Sequence, residues 1–388
     1  MRAFLVRLPS GARYWTVLDP DLQVVPVADS FLRHIRFGRD GAESTTRSYA
    51  HSIALFLRWC SRSGRTWQAG VEQIGLFMTW LAHALPAASG ADGAVMAGPG
   101  AAPARGARRV NAVLTAVRGM AVHAVAEGTG GGHLVPLLYE VADDRDLPAE
   151  ARAGDGRMTW RMRARHRVCV PESPVARAAD ADIAALLTAC MSARDRLIVL
   201  LLARAGLRRG EAAGLRRSDV HLLADSRPLG CEIERAHLHV VRREGNPNGA
   251  WAKSRRQRVV PLDFLIVQAF DTYQLERAGV AAARESDFVL VNLFRPPTGA
   301  PMRLDAINEL LAAASRRASI DPPVRPRQLR HAFGSNVADA GNGIDVIASL
   351  LGHSWVSSSQ VYVHPGPARL REAVDRVPSP LAGAKVIR

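Results

Sequence analysis

Aromatic residues, cysteines, acidic charge and long apolar runs are all scarce in this chain. Phe, Trp and Tyr make up only 6% of the 388 residues. That leaves few stacking platforms of the kind that read RNA or single strands. The longest apolar run, Leu197 to Ala203, falls far short of the roughly 20 residues that span a membrane. Charge interrupts Met1-Arg2-Ala3-Phe4-Leu5-Val6-Arg7 too early for a signal peptide, so a cytoplasmic protein is expected. Cys60, Cys169, Cys190 and Cys231 are widely spaced. They include no C-x-x-C pair and no neighbouring His pattern of a zinc site. The spacing predicts four reduced, mostly buried thiols and no metal.

Basic charge is what the chain has in excess. Lys plus Arg exceeds Asp plus Glu by 51 − 36, a formal net charge of +15 with an isoelectric point near 10.9. Such a surplus favours polyanions, because neutralising phosphates releases condensed counterions. Charge alone does not separate DNA from RNA or an acidic membrane, and it says nothing about catalysis. The 48% hydrophobic content is ordinary and allows sizeable cores, and the length suggests about two domains.

Residues 4–17 alternate around Pro9-Ser10-Gly11, a hairpin pattern, and residues 1–24 are read as an N-terminal β-hairpin arm. Residues 25–147 are read as a helical domain. Tyr49, Ile53, Phe56, Leu57 and Cys60 recur at helical spacing behind Ser44-Thr45-Thr46 as an N-cap region. Val110, Val113, Leu114, Val117 and Met120 form a second stripe, opened by Arg105, Arg108 and Arg109. The Ala/Gly/Pro-rich stretch 86–106 is expected to be a disordered loop, and Arg- and Pro-rich 148–176 an interdomain linker. In the second domain, 177–388, helices are expected over 183–190, 197–205 (with Gly206 as C-cap), 306–314, 330–340, 344–351 and 368–377. Strands are expected over 237–243 and 257–262, joined through Asn246-Pro247-Asn248-Gly249, with a further short one over 288–292. The fold class is thus mainly α with a small antiparallel β-sheet (α+β).

Four segments of the second domain carry a resemblance. Gly206-Leu207-Arg208-Arg209-Gly210-Glu211 is followed by Gly214-Leu215-Arg216-Arg217-Ser218-Asp219. Lys253 lies about eight residues before Val260-Pro261-Leu262. Arg327-Gln328-Leu329-Arg330-His331-Ala332-Phe333-Gly334 comes next. Last come Leu351-Gly352-His353 and, nine residues beyond that His, Tyr362. In this order the segments resemble the motif boxes of the tyrosine recombinase (phage integrase) family. The resemblance implies a helical core-binding domain plus a catalytic domain. It further implies Arg208 and Arg330 as phosphate-binding guanidiniums, Lys253 as general acid, His353 as a phosphate contact and Tyr362 as the nucleophile. Glu211 matches an acid that supports the fold locally. One departure stands out: the family's leading His of the third box is Arg327 here.

The residue types suit phosphodiester cleavage. Attack adds negative charge to the equatorial oxygens, and two guanidiniums bind these bidentately while staying charged at any relevant pH. A tyrosine of ordinary pKa about 10 needs a cationic field or a base to attack at neutral pH. A phosphotyrosine link retains the energy of the phosphodiester, so rejoining needs neither ATP, metal nor cofactor. Arg327 cannot be a general base, but it can hold a phosphate oxygen. Activity with an altered pH dependence is therefore expected, with proton removal left to His353, water or a substrate oxygen.

The resemblance also implies a 3′-phosphotyrosyl intermediate, double-stranded DNA as partner, and a homotetramer on paired sites. Accessory DNA-bending or directionality proteins, and a mobile-element integrase or transposase, fit the same expectation. Arg47, His51, Arg58, Arg108, Arg109 and Arg118 of the helical domain, with Arg255 and Arg256 beside Lys253, are candidate DNA contacts. Taken singly, each of these residues has a plainer reading: surface arginines, a helix-capping His, a core Tyr, a basic patch. Two rival functions share the motif set. One is a type IB topoisomerase-like relaxing enzyme. The other is a sequence-specific DNA-binding protein that has lost the chemistry through Arg327.

Overall fold

The computed structural model describes residues 1–84, 102–142, 161–170, 176–254, 257–353, 362 and 371. The chain divides into two compact units, Met1–Glu172 and Ser173–Arg388. The described residues are mainly helical, with three small antiparallel sheets. None of the described helices is long and apolar enough to cross a membrane.

The first unit opens with strands β1 (Arg2–Arg7) and β2 (Arg13–Leu18), paired from Arg2↔Leu18 to Arg7↔Arg13. This hairpin is not a detached arm. Val17 is fully buried in the unit's core, Tyr14 donates to Asp29 (2.9 Å), and the Trp15 amide donates to Thr46 Oγ1 (3.1 Å). Helices α1 (Pro26–Arg33), α2 (Glu43–Arg62), α3 (Trp67–Glu72), α4 (Ile74–His83), α5 (Ala107–Ala126) and α6 (Leu134–Leu138) follow. The long pair α2 and α5 buries the two predicted stripes, with Ile53, Phe56 and Leu57 sharing one core with Val113, Leu114, Val117 and Met120. Thr46 does not cap α2 from outside. It sits within the first turn and donates its hydroxyl to the Glu43 carbonyl at 2.7 Å.

Part of the expected linker belongs to this unit. Strands β3 (Tyr139–Ala142) and β4 (Arg161–Ala164) pair antiparallel. Beyond β4, Asn111 of α5 makes two hydrogen bonds to the Val168 backbone, 2.8 and 2.9 Å long. An amide side chain that answers both backbone groups of one residue fixes that segment to the helix. Residues 86–101 of the expected loop, 148–160 and 171–175 of the expected linker, and the tail helix over 368–377 apart from Arg371 lie outside the described residues.

The second unit contains α7 (Asp180–Ala189), α8 (Ala193–Ala203), α9 (Arg209–Ala213), β5 (Val220–His221), β6 (His237–Val240), β7 (Arg258–Pro261), α10 (Phe264–Ala278), α11 (Ala281–Arg284), α12 (Leu304–Arg317), α13 (Pro326–Asp339) and α14 (Ile344–Leu351). Helix α8 is its central buried rod: every residue from Leu197 to Ala203 is buried. The sheet runs β5-β6-β7, and His237↔Pro261 and Val240↔Arg258 set the hairpin register.

Two expectations change here, and one helix is new. Residues 288–292 form no strand, only isolated bridges Arg216↔Phe288 and Val291↔Pro301. Gly206 lies beyond the C-cap of α8, which is Arg204. Helix α10 was not legible, because exposed Phe264, Leu265 and Leu275 blur its apolar stripe. Asp263 caps it by accepting from the Ile266 amide (3.0 Å), and Tyr273 anchors it by donating to the Val289 carbonyl (2.7 Å).

All four cysteines are free. Cys60 and Cys190 are buried, Cys231 is half-buried and Cys169 is exposed. Although their sequence spacing shows no zinc pattern, the fold gathers His221, His237 and His239 around Cys231.

Candidate active site

A buried carboxylate organises the site. Glu211 lies in the first turn of α9 and accepts from the Arg208 amide at 2.9 Å, closing the start of that helix. Glu211 is only 4% exposed, and a lone buried carboxylate is costly. Three guanidiniums offset that cost. Arg258 grips both Glu211 oxygens (3.1 and 2.7 Å), Arg208 donates to Oε1 (2.7 Å), and Arg330 stands 3.7 Å away. Burial alone would raise the carboxyl pKa, but the Arg258 hydrogen bonds and the charges of Arg258, Arg208 and Arg330 win and bring it to about 2.

The same three arginines tie down the end of α14. Arg258 Nε donates to the Leu350 carbonyl (3.0 Å), Arg330 Nη2 to that of Leu351, and Arg208 Nη2 to that of Gly352 (3.4 Å). Carbonyls at a helix C-terminus lack intrahelical partners and carry partial negative charge, so cations there are doubly favoured. Gly352 has φ +61°, and a Cβ there would meet Arg258 Nη1 at 2.8 Å, so glycine is required on both counts. The turn it makes delivers His353, whose ring stacks on Tyr362 with centroids 6.1 Å apart.

Helix α13 supplies the other wall. Pro326 opens it, and the Gln328 side chain accepts from the Arg325 amide at 2.8 Å. Arg327, Arg330 and His331 then share one face by their i, i+3, i+4 spacing. Arg330 is buried, with one terminal nitrogen on the Gly206 carbonyl. Burial and the charge of Arg208 bring its pKa to about 9, which still leaves it charged at neutral pH.

Tyr362 is 6% exposed, among Ala338, Ile347 and Leu351. Its ring atoms lie 2.9–3.0 Å from where a Cβ on Gly334 would stand. The Tyr362 hydroxyl and His331 Nδ1 are 2.6 Å apart, and Arg327 Nε donates to His331 Nε2 at 2.9 Å. Since Nε2 accepts, the proton of a neutral imidazole sits on Nδ1, so His331 donates to the Tyr362 oxygen. Burial, Arg327 and Arg330 hold the His331 pKa down to about 4. Burial, Arg330 and Arg208 do the same for His353, also about 4. Burial raises the Tyr362 pKa against the opposing pull of Arg330, Arg327 and Arg208.

Arg208, Lys253, Arg327, Arg330, His331, His353 and Tyr362 all line one cleft of about 1170 Å³. Exposed Lys253 is one of only two lysines in the chain, the other being Lys385, so 49 of the 51 basic residues are arginine (51 − 2). A lysine at this place is therefore not drawn from a lysine-rich background. Arg255 and Arg256 lie outside the described residues.

In the first unit Arg47 and Arg58 of α2, and Arg108 and Arg109 of α5, are exposed, as is His51. Arg47 stacks on Trp15 (5.3 Å), and Arg109 reaches Ser52 Oγ at 3.4 Å. Arg118 departs from expectation. It is 7% exposed and donates to the His166 carbonyl at 2.9 Å, so it is a packing residue and not a surface cation.

Residues 177–369 match the phage integrase family. The tyrosine recombinase XerD of Corynebacterium glutamicum is 26% identical over 350 residues, covering 89% of this chain and 95% of its own. The tyrosine recombinase XerA of Thermococcus kodakarensis is 32% identical over 188 residues, covering 47% of this chain and 55% of its own. The chain belongs to the phage integrase family of tyrosine recombinases. Against several XerD proteins of this family the chain spans about half of their length, 52% for that of Halalkalibacterium halodurans. The integrase of transposon Tn1549, solved with transposon right end DNA, shares the fold with a TM-score of 0.56 at 15% identity. It covers 90% of this chain and 98% of its own. The site-specific recombinase XerH, solved with its difH substrate, gives 0.54 at 14%, covering 91% and 85%.

Two residues with a place in the site carry no role in the sequence motifs: Arg258, two residues before Val260-Pro261-Leu262, and His331, directly after Arg330. The signal for His331 was its i+4 spacing from Arg327 on a helix.

Proposed function

We propose that this chain is a site-specific DNA recombinase that cuts and rejoins strands through a 3′-phosphotyrosyl link to Tyr362. The observation that carries the reading is the convergence on one cleft of Tyr362, three guanidiniums, two imidazoles and Lys253. In this reading Arg208, Arg330 and Arg327 hold the non-bridging oxygens of the scissile phosphate, and His353 contacts the same group. Tyr362 Oη attacks phosphorus, the bond to the 5′ oxygen breaks, and Lys253 gives that oxygen its proton. In rejoining, a 5′-hydroxyl attacks the phosphotyrosine and Tyr362 leaves, so ATP is not consumed.

Arg327 acts as a gate on proton transfer. While it occupies His331 Nε2, His331 can only donate to Tyr362. A phosphate that draws Arg327 onto itself frees Nε2 and brings negative charge close to the ring. His331 can then change tautomer, accept the Tyr362 proton on Nδ1 and serve as general base. The arginine at the family's usual His position is thereby compatible with activity.

Double-stranded DNA is the proposed partner, consistent with the +15 charge. Four copies on two sites are proposed by analogy with the family, with residues 25–147 as core-binding domain and 177–388 as catalytic domain. Exposed Arg47, Arg58, Arg108 and Arg109 are the proposed phosphate contacts of the former. The test is to trap the chain on DNA in its own cells with detergent, beside Tyr362→Phe, and to sequence the bound DNA. An adduct confined to the wild type and to one class of site supports recombination. Enrichment of specific DNA without any adduct favours a catalytically silent binding protein, and adducts scattered without site preference favour a relaxing enzyme.

A further inference from the structure

We infer that His221, Cys231, His237 and His239 form a closed structural binding site for one zinc ion, separate from the recombination cleft. None of the four lines that cleft. Strand geometry brings them together. His237 and His239 are two residues apart on β6 and so share a face. The antiparallel register sets His221 of β5 opposite His237, and their rings stack with centroids 4.8 Å apart and planes 2° from parallel. The connection from β5 to β6 passes through a short 3-10 turn, Arg227–Leu229. Gly230 at φ +77° then reverses the chain, and Cys231 returns to the same face.

The distances among Cys231, His237 and His239 fit three corners of a tetrahedral ion. Cys231 Sγ lies 3.3 Å from His237 Nε2 and 3.4 Å from His239 Nε2, and the two nitrogens are 3.2 Å apart. One ligand atom from each of the four residues can be chosen within 4.8 Å of all the others. Zinc bonds of about 2.0–2.1 Å to nitrogen and about 2.3 Å to sulfur give tetrahedral edges of roughly 3.3–3.6 Å.

Hydrogen bonding alone does not account for the cluster. His237 Nδ1 bonds the Arg235 carbonyl at 2.7 Å, which places its proton there and leaves Nε2 as an acceptor. The thiol and His239 Nε2 can bring at most one hydrogen each to the three mutual contacts. One contact is then left without a hydrogen of its own, and a cation in place of the hydrogens satisfies all three atoms at once. The bond from Nδ1–H to a backbone carbonyl is also the partner that orients a ligating histidine. His221, 8% exposed, has a buried Nδ1 with no hydrogen-bond partner.

Three imidazoles and one thiolate are a borderline-soft donor set that suits zinc and fills its four positions, leaving none for substrate. On binding, the Cys231 thiol loses its proton to solvent and the sulfur bonds the metal. The ion staples the 222–236 connection onto the sheet. Strand β6 of that sheet leads directly into the segment that carries Lys253.

The test uses the full chain with a histidine-free affinity tag, purified with zinc present. Expected are about one zinc per chain in the wild type and in the Cys169→Ser control, and loss of zinc in Cys231→Ser and His237→Gln. Chelation of the wild type should lower its thermal midpoint, and zinc should restore it. Cobalt in the wild type should give tetrahedral visible absorption with a thiolate charge-transfer band, which needs no variant to fold. The inference is overturned if the wild type holds less than about a tenth of an equivalent with its midpoint indifferent to zinc. It is equally overturned if both variants keep their metal.

Discussion

Replacing Arg258 with Met probes the buried hub on which the site is built. The change removes two charge-assisted hydrogen bonds to Glu211 (3.1 and 2.7 Å) and one to the Leu350 carbonyl (3.0 Å). Methionine replaces much of the stem volume, and Arg208 stays on Glu211 at 2.7 Å. Loss of one partner from a buried ion pair costs about 3–5 kcal/mol, and the remaining arginines put this case near the lower end, about 3 kcal/mol. For a unit of this size that lowers the melting midpoint by roughly 6–12 °C. Glu211→Gln should cost at least as much, because it leaves three guanidiniums crowded around a neutral amide. Calorimetry of both single variants and the double variant gives the coupling, expected at about 1–3 kcal/mol. The hub is also pH-sensitive in a defined direction. A carboxyl lowered from 4.5 to about 2 contributes fully above pH 4.5 and loses that contribution as pH falls towards 2. A midpoint drop under about 2 °C for Arg258→Met, or strictly additive single variants, would refute the hub.

Three further outcomes follow from the geometry. Gly334→Ala puts a methyl 2.9–3.0 Å from the Tyr362 ring; adduct yield should fall roughly 10- to 100-fold with DNA affinity unchanged, by gel shift and detergent trapping. Arg327→His removes the guanidinium that holds His331 as a donor, so the pH profile of cleavage should move; an unchanged profile across pH would count against the gate. His331 and His353, lowered from 6.5 to about 4, stay neutral in the fold while the unfolded chain takes up protons, so stability should fall as pH drops from 6.5 towards 4, read from urea midpoints.

The sequence carried the motif order clearly, because recombinase boxes combine fixed residue types with local context. Arg208, Arg327, Arg330, His353 and Tyr362 were named from those boxes, and Lys253 from its distance to Val-Pro-Leu. The long amphipathic helices α2 and α5 were legible from period alone. What escaped depends on tertiary contacts. Arg258 is distinguished from a surface arginine only by a buried partner 47 positions away. Arg118 read as a surface cation because nothing local signals the His166 carbonyl it meets. The His221-Cys231-His237-His239 group was invisible because its spacing is set by strand register and a returning turn, not by a short ligand repeat. Helix α10 was hidden by apolar residues on its exposed side.

Mass spectrometry of the trapped adduct after nuclease and protease digestion identifies the nucleophile most directly. The chain has five tyrosines, Tyr14, Tyr49, Tyr139, Tyr273 and Tyr362, so the modified peptide is unambiguous. The expected product is a nucleotide linked through its 3′-phosphate to the peptide containing Tyr362. A nucleotide on any of the other four tyrosines, or trapped DNA with no modified tyrosine, would contradict it.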